Sequence, residues 1–325
     1  MYDAQHIERI RTTTKRLDAL HSASYFSPAV ARALAEIGLT HPSGGYFAAR
    51  SAALGRVQAS VVAATFYSFN ADFISEFVPA CWDVAAPEAV LAARHRGVEE
   101  MMAEIFTAEG VETDALADAA AEVLTLLQPV LEVMLPDGRP LFAAHAEALS
   151  EGIATSDGVL APLTQLWAAV TLLREYRGDG HIAALLAHDL TGLESVILHV
   201  ASGTSFTARA ARRSRGWSHE IWDTYVEGLI DNGLLQRTGQ HADAEAADPE
   251  QAATGGLALT DEAIVLREAI EDATDDTVAH AWSMLDEHEH ARLAELATPL
   301  ARTVVKSGVF PAKVFAPGSG MVRRR

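Results

Sequence analysis

With 325 residues, a hydrophobic fraction of 49% and a net charge of −19, the chain is long enough for two domains. It is too apolar to be disordered and too acidic to bind nucleic acid non-specifically. A single cysteine, Cys81, excludes an intrachain disulfide and any zinc site needing two thiolates from one chain.

Met1–Ile10 lacks the apolar core of a leader, and the longest near-apolar run, Leu160–Leu173, is interrupted by Thr164 and Gln165. Neither suits a membrane, so cytoplasm is the expected compartment. Ala- and Leu-rich text punctuated by Gly, Pro and Ser predicts a mainly α fold. The first half gives helices over His6–Leu20, Pro28–Ile37, Gly45–Leu54, Gln58–Tyr67, Asn70–Ala80, Pro87–Phe106, Asp114–Leu135 and Pro140–Leu149, with Pro129 breaking the seventh. The second half gives Pro162–Tyr176, His181–Leu190, Leu193–Ala201, Thr207–Arg213, His219–Asn232, Asp261–Asp272 and Asp275–Ser307, the last being one helix or two. Thr238–Gly256 is polar, acidic and turn-rich and predicts a mobile loop. From Gly308 onward Pro and Gly predict an extended or disordered tail.

Tyr25–Thr40 and Tyr176–Thr191 share Tyr, Ala, Leu, Leu and Thr at matching positions, which suggests internal duplication or chance likeness of Ala/Leu-rich helices. From Ile197 the pattern is more specific. Two helices lead to a third capped by Ser218 and stopped by Gly233, with a stripe of Ile221, Trp222, Tyr225, Val226, Leu229 and Ile230. Strands over Leu234–Gln236 and Gly256–Leu259 then form a short β-wing, and Thr260 caps the next helix. Ile197 to about Thr274 thus resembles the winged helix of MarR-type regulators. Over most of its length the chain is also similar to a family of actinobacterial helix-turn-helix proteins. The motifs that carry this likeness are His21–Phe26, Gly45–Gly55 and Leu172–His181. The expected organisation is two helical halves, 1–155 (winged-helix-like) and 156–307 (winged helix), followed by a flexible tail, 308–325.

A winged helix places the helix before the wing in the major groove, where Lys, Arg or backbone amides meet phosphate. Gly216–Gln236 contains no Lys or Arg, against Glu220, Asp223, Glu227 and Asp231. The basic residues Arg209, Arg212, Arg213 and Arg215 lie on the preceding helix, where they either hold phosphates or pair with neighbouring acids.

The densest polar text is Arg174, Glu175, Arg177, Asp179 and His181, at a predicted helix–turn–helix junction with Gly178 and Gly180 in the turn. There Asp179 orients His181 or caps the following helix. His21 and Tyr25 stand one turn apart. If the halves are pseudo-symmetric, His21, Tyr25, Arg50, Asn70, Arg174, Arg177, Asp179 and His181 line a ligand-binding pocket between them; otherwise the histidines are satisfied and partly buried. Asp286–His290 offers two ligands at i, i+4 but no H-E-x-x-H motif, so no metal is expected, and no nucleophile elbow, P-loop or dinucleotide fingerprint occurs. No cofactor is indicated.

Three readings stand: a winged-helix-derived protein that binds a small molecule or protein partner, a MarR-like DNA-binding regulator, and a pocket enzyme using His21 or His181. The chain is expected as a monomer or homodimer, since long terminal helices can pair two chains or two halves of one.

Overall fold

A computed structural model describes residues 4–150, 158–238 and 254–321, and these are mainly helical with a small two-stranded sheet. In chain order the first helices are α1 (Ala4–Ser22), α2 (Pro28–Glu36), α3 (Pro42–Ser51), α4 (Ala59–Phe66), α5 (Ala71–Ser75) and α6 (Cys81–Val84). They continue as α7 (Pro87–Phe106), α8 (Thr113–Glu132), α9 (Pro140–Ser150), α10 (Ala161–Ala187), α11 (Gly192–Ala201), α12 (Ala208–Ser214) and α13 (His219–Asp231). Strands β1 (Leu235–Arg237) and β2 (Leu257–Leu259) follow, then α14 (Asp261–Trp282) and α15 (Glu287–Lys306). Among the described residues no single helix is long and apolar enough to cross a membrane.

The chain divides into two compact units, each assembled from separated segments. The first is Met1–Gln58, Phe77–Gly180 and Asp275–Val309; the second is Ala59–Glu76, His181–Thr274 and Phe310–Arg325. Their borders do not follow the expected division at 155/156, because tertiary packing joins segments distant in sequence.

In the first unit α1 packs along α15, α15 also meets α8, and α2 lies against α7. Leu17 and Leu20 of α1 and Leu293, Leu300 and Val304 of α15 are all buried, as the i, i+3, i+4, i+7 spacing on an amphipathic helix requires. Gly97 brings α7 against α2 so closely that a Cβ there would lie 2.5 Å from the Val30 Cα.

The second unit has its own core, in which Ile197, Leu198, Trp222, Val226 and Leu229 pack with Leu235 and Leu257. The β1–β2 pair is antiparallel, with Leu235 opposite Leu259 and Arg237 opposite Leu257. Ser218 caps α13 through the Ile221 N–H at 3.1 Å, Gly233 ends that turn at φ 74°, and Thr260 accepts from the Ala263 N–H at 3.2 Å. These ends match the sequence pattern. Segment 59–76 is held in the same unit by Tyr67 Oη donating to the Leu190 carbonyl (2.6 Å) and Trp217 Nε1 donating to the Ser68 carbonyl (3.0 Å).

Several expectations are corrected. The turn predicted at Gly178 and Gly180 does not form, and α10 runs unbroken through both glycines. Each glycine weakens a helix by about 1 kcal/mol, yet Gly180 permits close packing, since a Cβ there would overlap Thr277 Oγ1 and sit 2.9 Å from Arg139 Nη1. The predicted break near Asp272–Asp275 lies instead at 283–286. There Asp286 and Glu289 form a reciprocal capping box that opens α15. Pro129 is accommodated within α8, one turn from its end. Asn70–Ala80 is not one helix but the short α5, a turn and then α6.

The tail is ordered through Met321 rather than flexible. The Thr207 N–H donates to the Val314 carbonyl and the Ala316 N–H to the Ser205 carbonyl, both at 2.8 Å, with Phe310 and Phe315 buried. Most of the predicted mobile loop, 239–253, lies outside the described residues.

The two similar segments share one local geometry. Gly38 and Asp189 both have positive φ (94° and 55°). In each case the next amide, Leu39 or Leu190, donates to the carbonyl five residues back, Leu34 or Leu185, at 3.0 and 3.1 Å. Both are helix ends closed by a left-handed residue, and they occupy equivalent positions in the two segments.

Candidate functional site

Four of the proposed ligand-binding residues come together inside the first unit. His21 is near the end of α1, Tyr25 is in the 3-10 turn that follows, Arg50 is in the last turn of α3, and Arg174 is on α10. His21 is fully buried, with its ring 5.3 Å from Tyr25 and stacked on Trp167 at 5.3 Å. Trp167 and Arg174 are seven residues apart on α10, two turns on one face. Arg174 lies over the Tyr25 ring at 5.4 Å and pairs with Asp18 of α1.

At the centre is the ion pair of Arg50 and Glu175. Arg50 Nη2 meets Glu175 Oε2 at 3.1 Å and Nε reaches Oε1 at 3.5 Å, while Nη1 approaches Tyr46 Oη at 3.4 Å. Burial alone pushes the Glu175 carboxyl up, but Arg50 and Arg174 outweigh it and bring the group down to about 2. Glu175 is therefore a fixed negative charge and no proton donor near neutrality.

A second buried guanidinium, Arg94 of α7, is 3% exposed. It donates to the Ala49 carbonyl in the last turn of α3 at 3.2 Å, where a cation meets the negative helix end. It also lies over Trp167 at 4.8 Å and reaches His21 Nε2 at 3.4 Å. Guanidinium cannot accept, so His21 Nε2 accepts and the ring proton is on Nδ1. Burial, then Arg174 and Arg94, hold His21 well below the usual imidazole range. Burial likewise brings His95 and His145 down to about 4, in both cases with help from Arg94. All three rings are neutral at pH 7. Four buried atoms of this group have no protein hydrogen-bond partner among the described residues: His21 Nδ1, Tyr25 Oη, His95 Nδ1 and His145 Nε2.

The other proposed site residues serve elsewhere. Asp179 neither caps the following residues of α10 nor orients His181. Its Oδ2 accepts from the Leu141 and Phe142 N–H groups at 3.0 and 2.9 Å, capping α9 from a neighbouring helix. Burial raises its carboxyl to about 6 against those two hydrogen bonds. Arg177 pairs with Asp275 at 3.3 Å. In the second unit, His181 Nδ1 lies 2.9 Å from Thr274 Oγ1, and Asn70 caps α5 through the Asp72 N–H at 2.8 Å. Of the Asp286–His290 pair, Asp286 is the cap of α15, and the buried His290 Nε2 lies 3.1 Å from the Trp282 carbonyl.

In the arginine patch, Arg212 reaches the Trp217 carbonyl and His219 Nε2, each at 2.8 Å, and Arg215 lies over Phe206 at 4.9 Å. Arg209 and Arg213 are exposed. Arg212 thereby closes the end of α12, and Arg215 covers the Phe69 and Phe206 rings.

Sequence reasoning missed Arg94, His145 and Trp167. One signal was present for the first: Val90, Ala93, Val98 and Met101 mark the buried face of α7, and Arg94 interrupts that apolar stripe. His145 and Trp167 carry no such mark, since an aromatic ring on a buried helix face is ordinary core.

A family model described as a helix-turn-helix family matches residues 10–311. No curated protein and no solved structure matches the chain.

Proposed function

The chain belongs to a helix-turn-helix family, and from that premise we propose that it binds a small molecule in the buried cluster around Arg50 and does not read DNA by the usual docking. The observation that carries the first part is that Arg50, Arg94 and Arg174 share one buried cluster with four polar atoms that lack protein partners among the described residues. Buried polar groups are nearly always satisfied, so such a concentration marks a place where another molecule completes the hydrogen bonding.

The second part rests on the second unit. We take α11 to α13 with β1 and β2 as a winged helix, supported by the order of three helices, two antiparallel strands and a further helix. In that arrangement α13 is the groove-entering helix. It exposes Glu220, Asp223, Glu227 and Asp231, and each carboxylate facing phosphate opposes binding. The same proposal takes the chain as an internal duplication, supported by the matched helix ends at Gly38 and Asp189.

Native mass spectrometry of the intact purified chain tests the ligand. A bound small molecule, depleted in Tyr25→Phe, is the expected result. A wild-type chain that carries no small molecule and whose melting temperature no member of a metabolite library raises overturns the ligand half. A mobility-shift assay on genomic fragments at low salt tests the rest: specific, salt-sensitive retardation sinks the claim about DNA.

A further inference from the structure

We propose that the ligand of this cluster is a small anion, a carboxylate or phosphate-type oxyanion, whose charge sits against Arg94; this deepens the small-molecule reading and rests on it. The argument begins with charge. Arg50 is matched by Glu175 and Arg174 by Asp18. Arg94, 3% exposed, has a carbonyl, a neutral imidazole and an indole face as neighbours, and no carboxylate within ion-pair distance among the described residues. A buried guanidinium without a direct counter-charge is costly, and the carbonyl and ring contacts offset only part of that cost.

Two of the neutral groups beside it are donors. Because Arg94 donates to His21 Nε2, the unpartnered His21 Nδ1 carries a proton, and the unpartnered Tyr25 hydroxyl has one as well. Burial holds the Tyr25 phenol in its protonated form, raising it from its ordinary value against the pull of Arg174 and Arg50. The Arg94 charge and the Tyr25 hydroxyl are the complement of an oxyanion, and the His21 Nδ1–H, on the ring edge away from Arg94, is left for another atom of the ligand. A neutral ligand leaves the Arg94 charge unmatched, and a cation is repelled by all three guanidiniums. Glu175 does not remove the preference, since Arg50 grips it through two nitrogens.

The test uses the intact chain at pH 7, with acetate, benzoate and inorganic phosphate as probes and acetamide and benzamide as neutral isosteres. Thermal shift and calorimetry are the readouts. At least one anion is expected to bind saturably, and a carboxylate to bind at least tenfold more tightly than its amide. The same series separates a carboxylate from a phosphate preference. Arg94→Met should weaken the preferred anion at least tenfold; because it also leaves the Ala49 carbonyl and His21 Nε2 without a donor, its affinity is measured by calorimetry at a temperature where the variant remains folded. Tyr25→Phe deletes one hydroxyl and should weaken binding several-fold, with the fold unchanged.

An amide that binds as well as its acid overturns the anion assignment while leaving the small-molecule reading standing. Full anion affinity in Arg94→Met overturns the placement of the charge. If none of the three anions binds, the assignment fails, and native mass spectrometry decides separately whether a ligand is held at all.

Discussion

His95 and His145 are both brought down to about 4, chiefly by burial, and that fixes how the molecule responds to acid. In the unfolded chain these rings protonate near pH 6.5, whereas in the folded chain they resist protonation to about pH 4. The unfolded state thus binds more protons across this window, and stability falls as pH falls. Each ring contributes a loss on the order of 3 kcal/mol by pH 4. Asp179, raised to about 6, acts in the opposite sense below that pH but over a narrower shift. Melting temperature measured from pH 7.5 to 4 should therefore drop steeply below about 6.5, and His145→Gln should flatten the slope. A flat wild-type profile contradicts the buried, neutral assignment. At this scale the sequence was partly legible. His21, Tyr25, Arg50 and Arg174 stood out as polar residues within His21–Phe26, Gly45–Gly55 and Leu172–His181, but Arg94 and His145 lie within helices, where only three-dimensional packing distinguishes a charged core residue from a surface one.

Helix junctions show the same limit from another side. Ends governed by local chemistry, such as Ser218, Gly233 and Thr260 around α13, β1 and α14, follow the sequence because cap and donor are three or four residues apart. The error at Gly178 and Gly180 arose where a distant helix decided the matter. Local propensity asks for a turn, but α14 approaches α10 at Gly180, and Asp179 is occupied by the amides that open α9. Two substitutions check this. Asp179→Ala leaves the Leu141 and Phe142 N–H groups without an acceptor and should cost about 2 kcal/mol or more in chemical denaturation. Gly97→Ala places a methyl against the Val30 backbone and, since backbone cannot rotate aside, should destabilise by about 1–3 kcal/mol. An unchanged denaturation midpoint for either variant means that the close contact it probes does not form in solution.

The whole molecule is the scale at which the sequence was least informative. A reader of composition divides the chain once, near its middle; the observed units alternate along the sequence, and the first joins the N-terminal segment to Asp275–Val309. Non-local pairing of this kind carries no local signature, because it depends on which faces fit rather than on any motif. Deleting residues 283–325 removes α15, the helix against which both α1 and α8 pack. The shortened chain should lose the cooperative transition of the first unit, visible as loss of the near-ultraviolet signal of Trp167 and rapid proteolysis within α1. Retention of both features in that deletion shows that α15 is dispensable. The pairing of α1 with α15 also sets an order in time. During synthesis the first helix leaves the ribosome when its partner, more than 260 residues away, has yet to be made, so its apolar stripe is exposed for most of translation. At 5–20 residues per second that interval is roughly 15–55 seconds. For that interval the apolar face of nascent α1 is open to other apolar surfaces, and its final burial waits on the last helix of the first unit.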